Sequence, residues 1–274
     1  MKESTVLHTQ VHKLYTSARE EVQKLKFELK EATEAESFYG KYLNFIEKNW
    51  VLHILDLLEK ESSRLKRLRE IEHPAISSIE DSYRLSKEEA KSLFRRYPSL
   101  LENACKEAKL SLDPSSRHPK YNLENGFFRL EIDESKRTAK LFNYEGQLSE
   151  LPADIEAVIE MIRKEYDRIF GRKFDEKKFL KQLRSQYKAI VKKDGLSDSE
   201  SVPIRHITRR MSKNIKGFRT DEFLIDLSRL AEKGPYEIDG RKLDLQQTKD
   251  TNQGMLLYGA EKRGYIGFII FREV

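Results

Sequence analysis

Cysteine is almost missing from this chain. Cys105 is the only one, so no internal disulfide can form and no cysteine pair can hold zinc. Long apolar runs are missing too. The longest, "WVLHILDLL" and "YIGFIIF", fall far short of a membrane span, and His53 and Asp56 break the first. The opening "MKESTVLHTQ" lacks the apolar core of a secretory leader. Proline and glycine are sparse, seven and twelve. They gather after residue 98, which predicts that the first third is helical. No G-x-x-x-x-G-K-S/T loop, G-x-G-x-x-G fingerprint or G-x-S-x-G elbow occurs. These absences predict a soluble, cytoplasmic protein with no cofactor, no resident metal and no membrane partner.

What is abundant is charge. Charged residues make up 36% of the chain and apolar ones only 38%, a balance that suits long, solvent-washed helices around small cores. Fourteen Phe and twelve Tyr argue against global disorder. The formal net charge is +6, but it is unevenly spread: residues 161–220 hold eighteen Lys and Arg against seven Asp and Glu, leaving the rest net negative. Contact with a polyanion is therefore expected after residue 160.

Periodicity predicts a mostly α, α+β chain in three parts. Residues 1–112 read as a helical bundle or extended helical arm for docking a partner or a second copy. Leu7, Val11, Leu14, Ala18, Val22, Leu25, Leu29 and Ala32 recur at steps of three and four. These steps run nearer 3.6 than 3.5, and Glu21 and Glu28 interrupt a strict heptad, which disfavours a long zipper. An aromatic-rich stretch follows (Phe38, Tyr39, Tyr42, Phe45, Trp50) and is expected to pack and stop at Pro74. Ser86 with Glu89 reads as a capping box opening a new helix, and Pro98 as the first turn of another. Residues 113–172 read as a linker, "DPSSRHPKYN", then a hairpin, "FFRLEID-ESKR-TAKLFNY", with Phe128, Leu130 and Ile132 on one face. A helix from about Ala153 to Gly171 completes this part.

Residues 173–274 carry the most informative stretch, "SVPIRHITRRMSKNIKGFRTDEFLIDLSRL" (201–230). A helix with Phe179, Leu183, Tyr187, Ile190 and Val191 inward precedes it. "SVPI" reads as a short strand. A second helix turns Ile204, Ile207 and Met211 inward, and a third, capped by Thr220, buries Phe223, Leu224, Leu227 and Leu230. Gly234-Pro235 ends that helix, and "YEIDGRKLDL" reads as a hairpin turning at Asp239-Gly240. "GMLLYG-AEKR-GYIGFIIF" reads as a last strand pair. This order, over roughly residues 174–250, resembles the winged helix-turn-helix family. The resemblance implies binding of duplex DNA by the third helix and a wing, or a protein-docking role.

The third helix departs from that pattern. Asp221, Glu222 and Asp226 are expected on its solvent side, where they would repel phosphate, so base reading is not expected of it. The second helix supplies the opposite charge. Arg205, Arg209, Lys213 and Lys216 line one face, Arg210 and Arg219 flank it, and Lys181, Arg184 and Lys188 of the first helix extend it. Such a surface neutralises phosphates without regard to sequence; the plain alternative is a solvated helix face. The combination looks like accessory subunits of DNA-associated machines, such as those serving SMC-type ATPases in chromosome maintenance or antiviral defence.

Two other functions compete. A protein-binding adaptor would use the N-terminal helices and the final strand, read as an edge presenting Phe268 and Ile270. A metal-dependent nuclease would use Glu131, Asp133 and Lys136. His8 and His12, four apart, lack a third ligand and read as surface histidines.

Overall fold

The computed structural model describes residues 2–143, 145–258 and 265–274, with side chains described from His8 onward. It is a mixed α+β chain that divides into two units, Met1–Arg95 and Arg96–Val274. The boundary falls inside a helix and not at residue 112. The stretch read from sequence as linker, hairpin and helix belongs to the same unit as the C-terminal part.

The first unit is built from α1 (Lys2–Glu47), α2 (Val51–Lys60), α3 (Ser62–Glu70) and the beginning of α4 (Ile76–Glu107). Asn49 ends α1 in the left-handed region (φ 54°). Trp50 N–H donates to Phe45 O and Asn49 N–H to Ile46 O, the paired bonds of a Schellman stop with Asn in glycine's place. Glu72 ends α3 in the same way (φ 48°). Phe38, Ile54, Leu58, Leu65 and Ile79 form a small core, flanked by Tyr42, Phe45, Leu68, Ile76 and Tyr83. His53 lies between Phe45 and Trp50, its ring 4.9 and 4.7 Å from theirs, so it is a packed residue.

Two sequence signals mislead here. Ser86 does not start a helix: α4 runs through it, and Ser86 is buried. Ile76, Ile79 and Tyr83 pack on the α2–α3 core, and that burial carries the helix past the capping pattern. Pro98 also lies within α4, so the two predicted helices are one.

In the second unit β1 (Lys120–Leu123), β2 (Phe128–Asp133), β3 (Thr138–Asn143) and β4 (Gly146–Pro152) form an antiparallel sheet in sequence order. The predicted hairpin is its centre, and Phe128, Leu130 and Ile132 are buried together as expected. Helix α5 (Ile155–Phe170) packs on β4. The chain continues through α6 (Glu176–Asp194), β5 (Val202–Pro203), α7 (Ile204–Asn214), α8 (Thr220–Lys233), β6 (Glu237–Ile238), β7 (Arg241–Thr248), β8 (Met255–Leu256) and β9 (Tyr265–Glu273). The β6–β7 turn has Asp239 and Gly240 at φ 52° and 67°, the pair of positive values a tight hairpin demands. The turn predicted at "AEKR" lies outside the described residues.

Strand β9 is not an edge. The second sheet runs β5-β9-β7-β6, with β8 also paired to β9. Ile270 is buried and Phe268 half-buried, so neither is presented along a free edge as the adaptor reading required. An apolar terminal strand is most stable where both flanks are paired, and here the short strands β5 and β8 cover the side opposite β7.

Aromatic and polar contacts tie the first sheet and α5 to the C-terminal elements of the same unit. Phe127 and Phe170 meet Tyr258 with ring centroids 5.6 and 4.9 Å apart. Asn143 Nδ2 donates to Asp221 Oδ2 at 3.1 Å.

Candidate nucleic-acid interface

Helix α7 begins directly after Pro203, and its apolar residues set its orientation. Ile204, Ile207, Thr208 and Met211 are buried. At 100° per residue the opposite face is centred near His206 and Lys213, with Arg209 and Arg210 on either side. These four, with Lys193, Asp194 and Ile190 of α6 and Asn214, line an open cleft of about 350 Å³. Among the described residues none of Lys193, Arg209, Arg210 or Lys213 has a carboxylate within ion-pair distance. Arg210 Nε is buried without a hydrogen-bond partner there. The cleft thus brings four cations and one histidine against one carboxylate.

The remaining predicted cations go elsewhere. Arg205, first in the predicted stripe, is turned away from the cleft. Its guanidinium donates to Glu145 Oε1 at 3.1 Å and to Gly254 O at 3.2 Å, tying α7 to the β3–β4 turn and the loop before β8. Lys216 and Arg219 lie beyond α7, around Gly217. They line a second, smaller cleft of about 170 Å³ that also contains Glu222 and Asp226. Arg219 Nε is 3.3 Å from Asp221 Oδ1.

The α6 cations expected to extend the patch, Lys181, Arg184 and Lys188, do not line this cleft. Arg184 is only 3% exposed. Both its terminal nitrogens hold Asp198, at 2.6 and 2.5 Å, and its guanidinium lies 4.8 Å from the Phe271 ring centre. It is a core residue, because a guanidinium buried against an aromatic ring needs a fixed carboxylate to replace water. Lys188 is exposed but reaches Asp239 Oδ2 at 2.9 Å. Lys181 is exposed on the same α6 face. That face looks toward the β6–β7 turn, whereas Lys193, one turn of chain beyond the predicted set, meets α7.

The acidic helix is the largest correction. Asp221 and Asp226 of α8 are buried, not solvent-facing. Arg168 of α5 donates to Glu165, Glu222 and Asp221 at 2.8, 2.7 and 2.7 Å. Arg172 donates to Asp226 at 2.7 Å. Burial pushes the Asp221 carboxyl up, but hydrogen bonds from Arg168 and Arg219 overcome it and hold it below the usual carboxylate range. For Asp226 burial wins over Arg172, and the carboxyl is raised. Helix α8 is therefore packed between α5, α6 and α7 and is not free to enter a groove.

Comparison with protein-family models, characterised proteins and solved structures finds no match for the chain.

Of the other constellations, Glu131 lies against Arg129 and Lys120. Asp133 accepts from Ser135 Oγ and Lys136 N–H, closing the β2–β3 turn. Among the described residues no cluster of three or more His, Cys, Asp or Glu side chains is placed to hold a metal, and His8 and His12 stand exposed on α1. Burial first, and Glu102 second, push the Cys105 thiol up to about 11, which removes its thiolate reactivity at neutral pH. No helix among the described residues is long and apolar enough to cross a membrane.

Sequence reasoning missed Lys193 and Asp194. The available signal was positional: they follow Ile190 and Val191 at the end of α6, where the next helix must cross.

Proposed function

We propose that this chain is a non-enzymatic accessory subunit of a larger DNA-associated complex, of the chromosome-maintenance or antiviral-defence type. In this reading its C-terminal unit holds duplex DNA through phosphates and reads no bases. One observation carries it: the α6–α7 cleft, where Lys193, Arg209, Arg210 and Lys213 converge beside Asp194 with no ion pair among the described residues. Elsewhere in the same unit Arg168, Arg172, Arg184, Arg205, Arg219, Arg241 and Arg272 all hold carboxylates. Leaving four cations together unpaired raises their mutual repulsion, which an anionic ligand relieves.

Element order supports the winged-helix part of the reading. Helix α6, strand β5, helices α7 and α8 and the β6–β7 hairpin follow one another in the order on which the resemblance rests. Strand β5 joins the same sheet as β7 and β9. With α8 held by α5, the contact falls to α7 and is blind to sequence.

The test is fluorescence anisotropy of the whole chain on random-sequence duplex DNA across a salt series. Four phosphate contacts give a slope of about 3 to 4 in log affinity against log salt, unchanged between unrelated sequences. Absence of binding at low salt overturns the reading. The choice of DNA over RNA is settled by the same titration on duplex RNA.

A further inference from the structure

Every residue of α1 from His8 to Lys30 is exposed, although this segment carries a regular apolar stripe. Val11, Leu14, Val22, Leu25 and Leu29 expose between 48% and 71% of their surface. From residue 31 onward α1 is occupied: Glu31 binds Arg67 at 2.7 Å and Glu34 binds Arg64 at 3.7 Å, and Phe38 enters the small core. Among the described residues the stripe before that point has no cover within the unit.

The spacing of the stripe is palindromic. Reading outward from Ala18, apolar residues stand four and seven positions away on both sides: Leu14 with Val22, and Val11 with Leu25. The symmetry extends in sequence to Leu7 and Leu29, eleven positions either way. An eleven-residue repeat keeps such a stripe nearly straight along the helix, with no left-handed drift. A palindromic stripe meets itself when a second copy runs in the opposite direction, with each large residue opposite another large one. Ala18 then meets Ala18 at the crossing, where a small side chain permits close approach. Charge favours the same direction. Between residues 7 and 29 the half before Ala18 carries Lys13 and no acid and is net positive, while the half after it holds three Glu against three Lys and Arg and is neutral. Antiparallel pairing sets the positive half against the neutral one; parallel pairing sets it against itself.

We infer that α1 is a homodimerisation element in which two copies of this chain pair antiparallel about Ala18, over about 33 Å of helix from residue 7 to 29. This surface belongs to the N-terminal unit and stands independently of the nucleic-acid reading, because its test involves no DNA.

The test has two parts on the full chain. Sedimentation over a concentration series is expected to show a species of twice the chain mass. The double variant Leu14→Glu with Val22→Glu is expected to sediment as a monomer with an unchanged circular-dichroism spectrum, since both residues are exposed. Orientation is read by cross-linking. A mixture of Val11→Cys chains and Leu25→Cys chains, with an added oxidant, is expected to give the mixed disulfide dimer, while either variant alone gives little. Buried Cys105 does not compete. A chain that is monomeric at every concentration overturns the inference, whether or not α1 then captures another protein or a vesicle. Disulfides of Val11→Cys with itself and Leu25→Cys with itself, in place of the mixed species, overturn the antiparallel arrangement.

Discussion

Arg168 Nη2 lies 2.7 Å from Asp221 Oδ2, and the Asp221 side chain is 3% exposed. This pair closes α8 against α5 and decides that an acid expected on the helix's solvent side faces the interior. A charge buried this deeply is stable only while its partner remains, and losing one side of such a pair costs about 3–5 kcal/mol. Asp221→Asn is expected to lower the unfolding free energy by about that amount in urea denaturation.

Asp226, five residues further along α8, behaves oppositely with pH. The lowered folded value of Asp221 means that its stabilisation is complete above the unfolded carboxylate pKa. It is lost as pH falls through the folded value. The raised value of Asp226 means that its contribution is present at acid pH and is lost as pH rises through that value. Urea midpoints against pH are therefore expected to flatten at the acid end in Asp221→Asn. Asp226→Asn is expected to gain most, relative to wild type, at neutral pH.

Arg184 separates a core role from a binding role. Arg184→Ala strips Asp198 of its bidentate partner and uncovers the Phe271 ring, a loss of about 3–5 kcal/mol. Thermal unfolding is expected to shift markedly downward. Affinity for duplex DNA, measured well below that transition, is expected to stay near wild type.

Arg209→Glu with Lys213→Glu is expected to do the reverse. Both residues are exposed, so thermal unfolding barely moves. Removing the two positive charges lowers the salt slope by about one each, and the introduced acids weaken binding further. Arg205→Ala is the control, because its contacts are Glu145 and Gly254. It is expected to reduce stability more than affinity.

Gly267 marks a further sensitive point. The β7–β9 register slips where Gln246 faces Phe268 and Gln247 faces Ile266, which leaves Gly267 as the extra residue of a bulge. A Cβ there would stand 2.7 Å from Thr248 Cβ. Gly267→Ala is expected to cost about 1–3 kcal/mol in urea denaturation, and Thr248→Ala in the same chain to recover part of it.

Much of the fold was legible in the sequence because local chemistry dictates it. The 3.6-residue stripes of α1, α5, α6 and α8, the alternation of Phe128, Leu130 and Ile132, and the Asp239-Gly240 turn each follow from a few adjacent residues. The capping pattern at Ser86 failed because packing of Ile79 and Tyr83 outweighed it. The end of α1 escaped notice because Asn49 holds a left-handed position where glycine is the usual signal, whereas the stop after α3 was marked by Pro74. For the candidate site, the sequence showed that residues 205–219 are basic and that Ile207 and Met211 turn inward.

By itself, then, the sequence determined the class of the elements, the basic character of residues 161–220 and the palindromic stripe about Ala18. Only the tertiary structure decided which charges are free. Arg184 and Arg205 read the same in sequence as Arg209, Arg210 and Lys213, yet their partners Asp198 and Glu145 lie 14 and 60 residues away along the chain. Lys193 joined the cleft because α7 crosses the end of α6. The physical reason is that helical periodicity records which side of a helix is apolar, whereas the partner of a charge is set by contacts between segments distant along the chain.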